Sequence, residues 1–280
     1  MTTDGSRPAV VLGPYEGARP TRPLAEYRRI LALTGAGISA GSGLPTFRGR
    51  GGLWQDETRE ALHHAENLPG SASGLWELWG PVREQLRTTP PNAAHVALAA
   101  LQAKVEAAGG VCQITTMNVD GLHQRAGARD VAELHGSLAR TRCADRDCGL
   151  PPFEDATAHR VPPPCPRCGG PMIPDVVLYG ERPHLDAEWA TKKVLRECQL
   201  FIAVGTSGVT SPASGYVRYA HDVGARTVLV NLTEHDTPNP YFGAAPPRIS
   251  SRCCWPTQHR RRNPDRRRRS GLPVPPERRR

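Results

Sequence analysis

Four short apolar runs along the chain have the length and composition of buried parallel strands. Each ends in small or polar residues, and they cover Ile30 to Thr34, Val111 to Thr116, Leu200 to Val204 and Thr227 to Leu232. Segments with helical spacing lie between the runs, at residues 189–198 and at residues 92–108, whose predicted apolar face holds Val96, Leu98, Leu101 and Val105. This alternation predicts an α/β fold with a doubly wound parallel sheet, which binds ligands at the carboxyl ends of its strands.

A cysteine-rich segment interrupts this rhythm at residues 139–174. Cys143 and Cys148 form one pair, Cys165 and Cys168 form a second, and sixteen residues separate the pairs. Four thiolates at this spacing predict one tetrahedral zinc site, and the segment therefore reads as a small zinc-binding insert. Because thiolates fill all four positions, the zinc is expected to be structural.

Disulfides or unrelated thiols are the alternatives to zinc. The start of the sequence shows no apolar core of signal-peptide length, which favours reduced thiols and a cytoplasmic protein. No stretch approaches the roughly 20 apolar residues that cross a bilayer, so no membrane partner is expected.

The net charge of +9 is concentrated at the end of the sequence. Residues 243–280 contain twelve arginines and two acidic residues, so residues 1–242 carry a balance of −1. The Arg/Pro-rich tail is expected to be disordered. It is interpreted as a solvated tail, with a nonspecific nucleic-acid contact or a shifted reading frame as alternatives. Residues 1–23 are expected to be loose, and residues 24–138 and 175–242 to form the sheet domain.

Glycines and polar residues follow the predicted strands. Gly35-Ala36-Gly37-Ile38-Ser39-Ala40 matches the GxGxxG/A form of a dinucleotide loop, a weak signal by itself. Asn118, Asp120 and His123 follow the second strand, and His135 comes twelve residues later. An amide, a carboxylate and an imidazole are suited to holding ribose and moving a proton. For His123, a packing or surface role is the preferred interpretation.

In this order, and with Gly205-Thr206-Ser207 and Asn231-Leu232 at the later strand ends, the motifs resemble those of the sirtuins, the NAD-dependent protein deacylases. The resemblance covers roughly residues 28–242 and is greatest to the bacterial and mitochondrial branch. It implies a Rossmann-like NAD-binding domain and an acyl-lysine protein or peptide substrate. The implied reaction transfers the acyl group from lysine to ADP-ribose and yields free lysine, nicotinamide and O-acyl-ADP-ribose.

The resemblance also implies roles for individual residues. The predicted catalytic residues are His135, as general base, and Asn118. The predicted NAD-binding residues are Gly35, Ala36, Gly37, Ser39, Phe47, Arg48, Met117, Asn118, Asp120, Gly205, Thr206, Ser207, Asn231 and Leu232. The predicted substrate-binding residues are Val176, Val177, Tyr179, Gly180, Glu181, Val209 and Thr210, with Trp79 and Val82 at the acyl group.

Two departures from the family pattern affect activity. Met117 replaces the usual glutamine of a Thr-Gln-Asn motif and cannot donate a hydrogen bond to a ribose hydroxyl, which predicts reduced activity. Trp79 and Val82 occupy the places of a Tyr-x-x-Arg pair that binds acidic acyl groups, and Arg83 lies one residue, or about 100°, away on a helix. Acetyl or other apolar groups are therefore expected to be preferred over succinyl or malonyl.

Two other functions are kept as alternatives to deacylation. A protein mono-ADP-ribosyltransferase would use the same NAD pocket, although His135 argues against it. A catalytically weakened sirtuin-like protein with a basic nucleic-acid-binding tail is the second, although the balance of −1 outside the tail argues against an ordered cationic surface.

Overall fold

The computed structural model describes residues 11–12, 23–47, 52, 57–155, 157–206 and 213–231. Several predictions fall outside this part of the chain. They concern the tail at 243–280, nearly all of the N-terminal segment 1–23, and the site residues Arg48, Ser207, Val209, Thr210 and Leu232.

A six-stranded sheet forms the centre of the molecule. Its strands, in spatial order, are β1 (Val11–Leu12), β9 (Arg226–Asn231), β8 (Leu200–Val204), β2 (Arg29–Thr34), β3 (Val111–Thr116) and β4 (Ala132–Glu133). Strands β9, β8, β2, β3 and β4 are parallel, and β1 pairs antiparallel with β9 at the edge. The predicted parallel sheet is confirmed, and the four predicted strands differ from the observed ones by at most one residue at either end.

Seven α-helices belong to the described part of the chain. They are α1 (Gly37–Ala40), α2 (Glu57–Ala61), α3 (Ala72–Leu86), α4 (Ala93–Ala107), α5 (Leu122–Arg125), α6 (Leu185–Leu195) and α7 (Ser214–Asp222). None is long and apolar enough to cross a membrane.

Both faces of the sheet are covered by helices because the side chains of a strand alternate in direction. On β2, Leu31 and Leu33 pack with buried residues of α6 and α7. Ile30 and Ala32 pack on the other side, with Val105 and Leu98 of α4 respectively. The prediction of a doubly wound sheet is therefore confirmed.

Two helix predictions need correction. Val96 was placed on the buried face of α4, but it is 51% exposed, and His95 is fully buried instead because it has polar partners inside the protein. The helix predicted at 189–198 begins earlier, at Leu185, and its Trp189 is 64% exposed.

A second sheet contains the cysteine-rich segment. It has three antiparallel strands in the order β6 (Phe153–Glu154), β5 (Gly136–Cys143) and β7 (Met172–Val176). The sheet therefore extends from residue 136 to residue 176. Its first strand begins immediately after His135, so the small sheet and the predicted catalytic residue are adjacent in the chain.

Candidate active site

The carboxyl ends of β2 and β8 meet in close backbone contact. The Gly35 amide donates to the Val204 carbonyl at 3.0 Å, and the Gly37 amide donates to the Gly205 carbonyl at 2.8 Å. A Cβ atom added to Gly37 would lie 2.8 Å from the Cα of Gly205, and Gly205 itself has a φ of +63°. These glycines are therefore required by the close approach of two chain segments.

Besides those of Gly35 and Gly37, two further amides of the loop have partners within the protein. The amide of Ile38 donates to the Gly35 carbonyl, and that of Ser39 donates to the Ala36 carbonyl. Helix α1 spans only four residues. These bonds and the short helix close the turn that follows β2.

Two further predicted NAD-binding residues meet at the neighbouring strand end. The side-chain amide of Asn231 donates to the carbonyl of Thr206 at 3.0 Å. Thr206 is 6% exposed and follows Gly205, whose amide donates to Val230 at 2.9 Å. The structure thereby places the ends of β2, β8 and β9 side by side.

A buried polar network joins three predicted site residues. The Ser39 hydroxyl donates to Asp120 Oδ2 at 2.6 Å and accepts from Asn118 Nδ2 at 3.1 Å. Asn118 Nδ2 also donates to the Gly35 carbonyl at 3.1 Å. Asn118 Oδ1 is buried without a protein partner, so it offers an acceptor to a ligand hydroxyl or amide.

His95, which the sequence reasoning missed, lies behind this network. Its Nδ1 accepts from the Asn92 amide at 3.3 Å, so Nε2 carries the proton, 3.5 Å from the Ser39 hydroxyl. Burial lowers the pKa of His95, and the charge of Asp120 opposes this effect. The Asn92-x-x-His95 spacing is that of a capping box, which could have indicated a local bond, although not burial.

His123 is a packed core residue, in agreement with the preferred interpretation. It is 1% exposed, its Nε2 lies 2.9 Å from the Thr34 hydroxyl, and its ring contacts that of His95 edge to face. Burial, assisted by the charge of His95, lowers the pKa of His123 to about 3. It is therefore neutral at physiological pH.

His135 is half-buried and lies two residues after β4. Its Nδ1 lies 3.1 Å from the main-chain carbonyl oxygen of Met117. A carbonyl can only accept, so Nδ1 donates, and Nε2 of the neutral ring is left as the basic nitrogen. Burial lowers the pKa of His135; the bond to Met117 raises it, and the charge of His184 lowers it further.

The segment predicted to contact substrate begins at Val176, the last residue of β7. The Tyr179 amide donates to the His63 carbonyl at 2.6 Å, and its carbonyl accepts from the Ala65 amide at 3.0 Å. The Val177 amide donates to the carbonyl of His135 at 2.9 Å, which ties this segment to the predicted base. The Glu181 carboxylate contacts Arg142 and Arg146 rather than pointing to an open surface.

Helix α3 holds the two residues predicted at the acyl group. Trp79 is 4% exposed, and its indole N–H donates to His63 Nε2 at 2.8 Å. Val82 is partly buried against the apolar cluster that contains Trp79. Arg83 is 3% exposed and donates to the carbonyls of Leu138, Arg140 and Thr157, so its charge is committed within the protein.

The four predicted metal ligands converge. Their sulfur atoms all lie within 4.8 Å of one another, with Cys143 to Cys168 at 3.6 Å and Cys148 to Cys165 at 3.7 Å. A tetrahedral zinc ion with bonds of about 2.3 Å separates its sulfur ligands by about 3.8 Å. The four thiolates fit a structural zinc ion.

Comparisons with known proteins show the family of the chain. A model described as the Sir2 family matches residues 35–212. The NAD-dependent protein deacylase 2 of Pyrobaculum aerophilum is 43% identical over 209 residues, which cover 75% of this chain and 82% of that protein.

Solved structures with the same fold include complexes with NAD and with a peptide. A complex of a Sir2 homologue with NAD has a TM-score of 0.67 and 34% identity, over 76% of this chain and 81% of that one. A Sir2–p53 peptide–NAD+ structure has a TM-score of 0.63 and 30% identity, over 76% of this chain and 85% of that one. The chain therefore belongs to the Sir2 family.

Proposed function

We propose that the chain is an NAD-dependent protein-lysine deacylase that releases free lysine, nicotinamide and O-acyl-ADP-ribose. The observation that carries this proposal is the bond between His135 and the Met117 carbonyl, because it leaves Nε2 as the basic nitrogen. Met117 directly precedes Asn118, which belongs to the Ser39–Asn118–Asp120 network. The proposal is further supported by the names of the relatives, which are NAD-dependent protein deacylases.

NAD would lie across the strand ends described above. Gly205, Thr206 and Asn231 would contact its adenosine half, and Ser39, Asn118 and Asp120 its nicotinamide ribose. When bound, NAD supplies an electrophilic ribose carbon and accepts the acyl group. The Oδ1 atom of Asn118 supports this placement. It is buried and has no hydrogen-bond donor within the protein, so a donor on the bound NAD would satisfy it.

His135 would act as the general base. A neutral imidazole can take a proton from a ribose hydroxyl, and its lowered pKa keeps it neutral at physiological pH. Asp120 and Ser39 would orient the ribose, since the 2.6 Å hydrogen bond between them fixes the positions of both side chains. The zinc ion would have no open coordination position and would act only as a structural support.

The substrate is proposed to be an acyl-lysine protein or peptide that pairs with residues 176–181. Tyr179 of this segment already pairs with residues 63–65, and Leu178 already bonds Glu181. A peptide would therefore pair nearer the start of the segment, at Val176 and Val177. A p53 peptide is bound in one of the similar Sir2 structures, which supports a peptide substrate.

Apolar acyl groups, acetyl among them, are proposed to be the preferred ones. Binding a succinyl carboxylate requires a cation or a donor, but the Trp79 indole donates to His63 and the Arg83 guanidinium donates to main-chain carbonyls. The carboxylate of an acidic acyl group would therefore leave water without gaining a positively charged partner in the site. We expect a preference for acetyl over succinyl of about tenfold or more in kcat/KM.

Nicotinamide release with matched peptides tests both parts of the proposal. Purified protein is incubated with NAD alone, with an acetyl-lysine peptide and with its succinyl-lysine counterpart, and both nicotinamide and free lysine are quantified. Equal yields of nicotinamide and deacylated peptide support deacylation. Labelled ADP-ribose on protein without deacylated peptide would instead indicate the transferase alternative.

A further inference from the structure

The proposed substrate segment ends in a tight turn that Glu181 closes. The Glu181 amide donates to the Leu178 carbonyl at 3.0 Å, and the Leu178 amide donates back to the Glu181 carboxylate at 2.8 Å. Gly180 between them has a φ of +88°, a region that favours glycine. The side chain of Glu181 is 7% exposed, so the turn is built around a buried carboxylate.

Two arginines hold this carboxylate from the small sheet. Arg142 Nη2 lies 3.0 Å from each carboxylate oxygen, and Arg146 Nε lies 2.7 Å from Oε1. Arg142 is itself buried and also donates to the carbonyls of Val176 and Cys143, at 3.1 and 3.2 Å. These contacts join the beginning and the end of the substrate segment to one short stretch of chain.

That stretch carries half of the metal site. Arg142 directly precedes Cys143, and Arg146 lies between Cys143 and Cys148. Four-thiolate coordination would fix the positions of these cysteines and hence of both guanidinium groups. A buried charge that loses its partner is strongly unfavourable, so the Glu181 turn is held to the geometry of this loop.

We propose that Glu181 is a positioning residue that couples the zinc-holding loop to the substrate segment, so that zinc retention and acyl-peptide binding strengthen each other. The substrate half of this inference rests on the proposed function. Coupling between two binding sites is reciprocal: if zinc favours peptide binding by some factor, then bound peptide raises the affinity for zinc by the same factor. Slower zinc release is the readout of that higher affinity.

Zinc release to a colorimetric chelator tests the loop contact without any turnover. We expect Glu181→Gln, which keeps the shape but removes the charge, to release zinc about fivefold faster or more than the wild type. Arg146→Gln should act in the same direction and is a second test that avoids a folding failure, because Arg146 is 47% exposed. Arg160→Gln, an exposed arginine in the same module, is the control and should release zinc at the wild-type rate.

Adding the peptide tests the coupling itself. A saturating acetyl-lysine peptide should slow zinc release from the wild type and leave the rate of Arg146→Gln unchanged, while the peptide KM of that variant rises and its NAD KM does not. A wild type that deacylates the peptide, but whose zinc release matches that of both variants, overturns the coupling and leaves the proposed function standing. A wild type without any deacylation overturns the proposed function and the substrate half of the coupling together.

Discussion

The imidazole of His135 is oriented by the main chain of Met117, with 3.1 Å between Nδ1 and the carbonyl oxygen. The residue that departs from the family pattern thus makes this contact through an atom that every amino acid has. The tautomer of the proposed base does not depend on the side chain at position 117. That side chain can therefore be changed to test its own contribution.

Met117→Gln should raise kcat/KM for NAD by about fivefold, because a new hydrogen bond to a ribose hydroxyl contributes about 1 kcal/mol. The same change should lower Tm, since Met117 is 8% exposed in an apolar cluster with Leu33 and Leu134, where an amide is costly. Met117→Leu is the control, with a similar volume and no donor, and should keep the wild-type rate. A folded Met117→Gln protein with an unchanged rate would show that the site has compensated.

The pH dependence of kcat/KM should report His135. Burial lowers its pKa below the ordinary value of 6.5, and the group acts as a base only when neutral. Activity should therefore fall as the pH drops through this lowered pKa, with the acid midpoint below 6.5. His184→Gln removes a charge that lowers the pKa and should move the midpoint upward. An acid midpoint above about 7 in the wild type would contradict the assignment.

The buried His123 should make the fold sensitive to acid. Its folded pKa of about 3 is below the ordinary 6.5, so the unfolded chain binds the proton first. Its contribution to stability is present above 6.5 and is lost as the pH falls from 6.5 towards 3, by up to about 1.4 kcal/mol per pH unit. Urea unfolding of His123→Gln at several pH values should show a flatter pH slope than the wild type. An equal slope would show that His123 does not resist protonation in the fold.

Cys143→Ser should remove the zinc ion and loosen the small sheet. The apolar cluster around the thiolates contains little besides Cys143, Cys165 and Met172, so it cannot hold the module without metal. Metal analysis should give close to one zinc per wild-type chain and almost none for the variant, and proteases should cut within residues 136–176. Cys112→Ser, at a buried cysteine of β3, should retain the metal. A zinc-free variant with wild-type stability would contradict the structural role.

The parts of the fold that depend on local pattern could be predicted from the sequence. Strands β2 and β8 are continuous apolar runs buried on both sides, so their ends could be placed within one residue. The four cysteines were found because ligand spacing is itself a local signal.

What the sequence did not disclose depends on distant partners. The His95 ring is buried against Ser39, which lies 56 residues earlier in the chain, and Arg83 is buried because carbonyls of the small sheet surround it. Without knowledge of these partners, a polar residue is predicted to be exposed. Glu181 was likewise assigned to the substrate segment, although its carboxylate binds Arg142 and Arg146.

The most direct test of the central claim is the comparison of wild type with His135→Ala in an assay that follows NAD, nicotinamide and an acetyl-lysine peptide together. The account predicts that the wild type yields one nicotinamide and one free lysine per NAD consumed. His135→Ala should keep the far-UV circular dichroism and zinc content of the wild type but lose peptide deacylation by at least about a hundredfold. Robust deacylation by His135→Ala would contradict the role of His135 as the base.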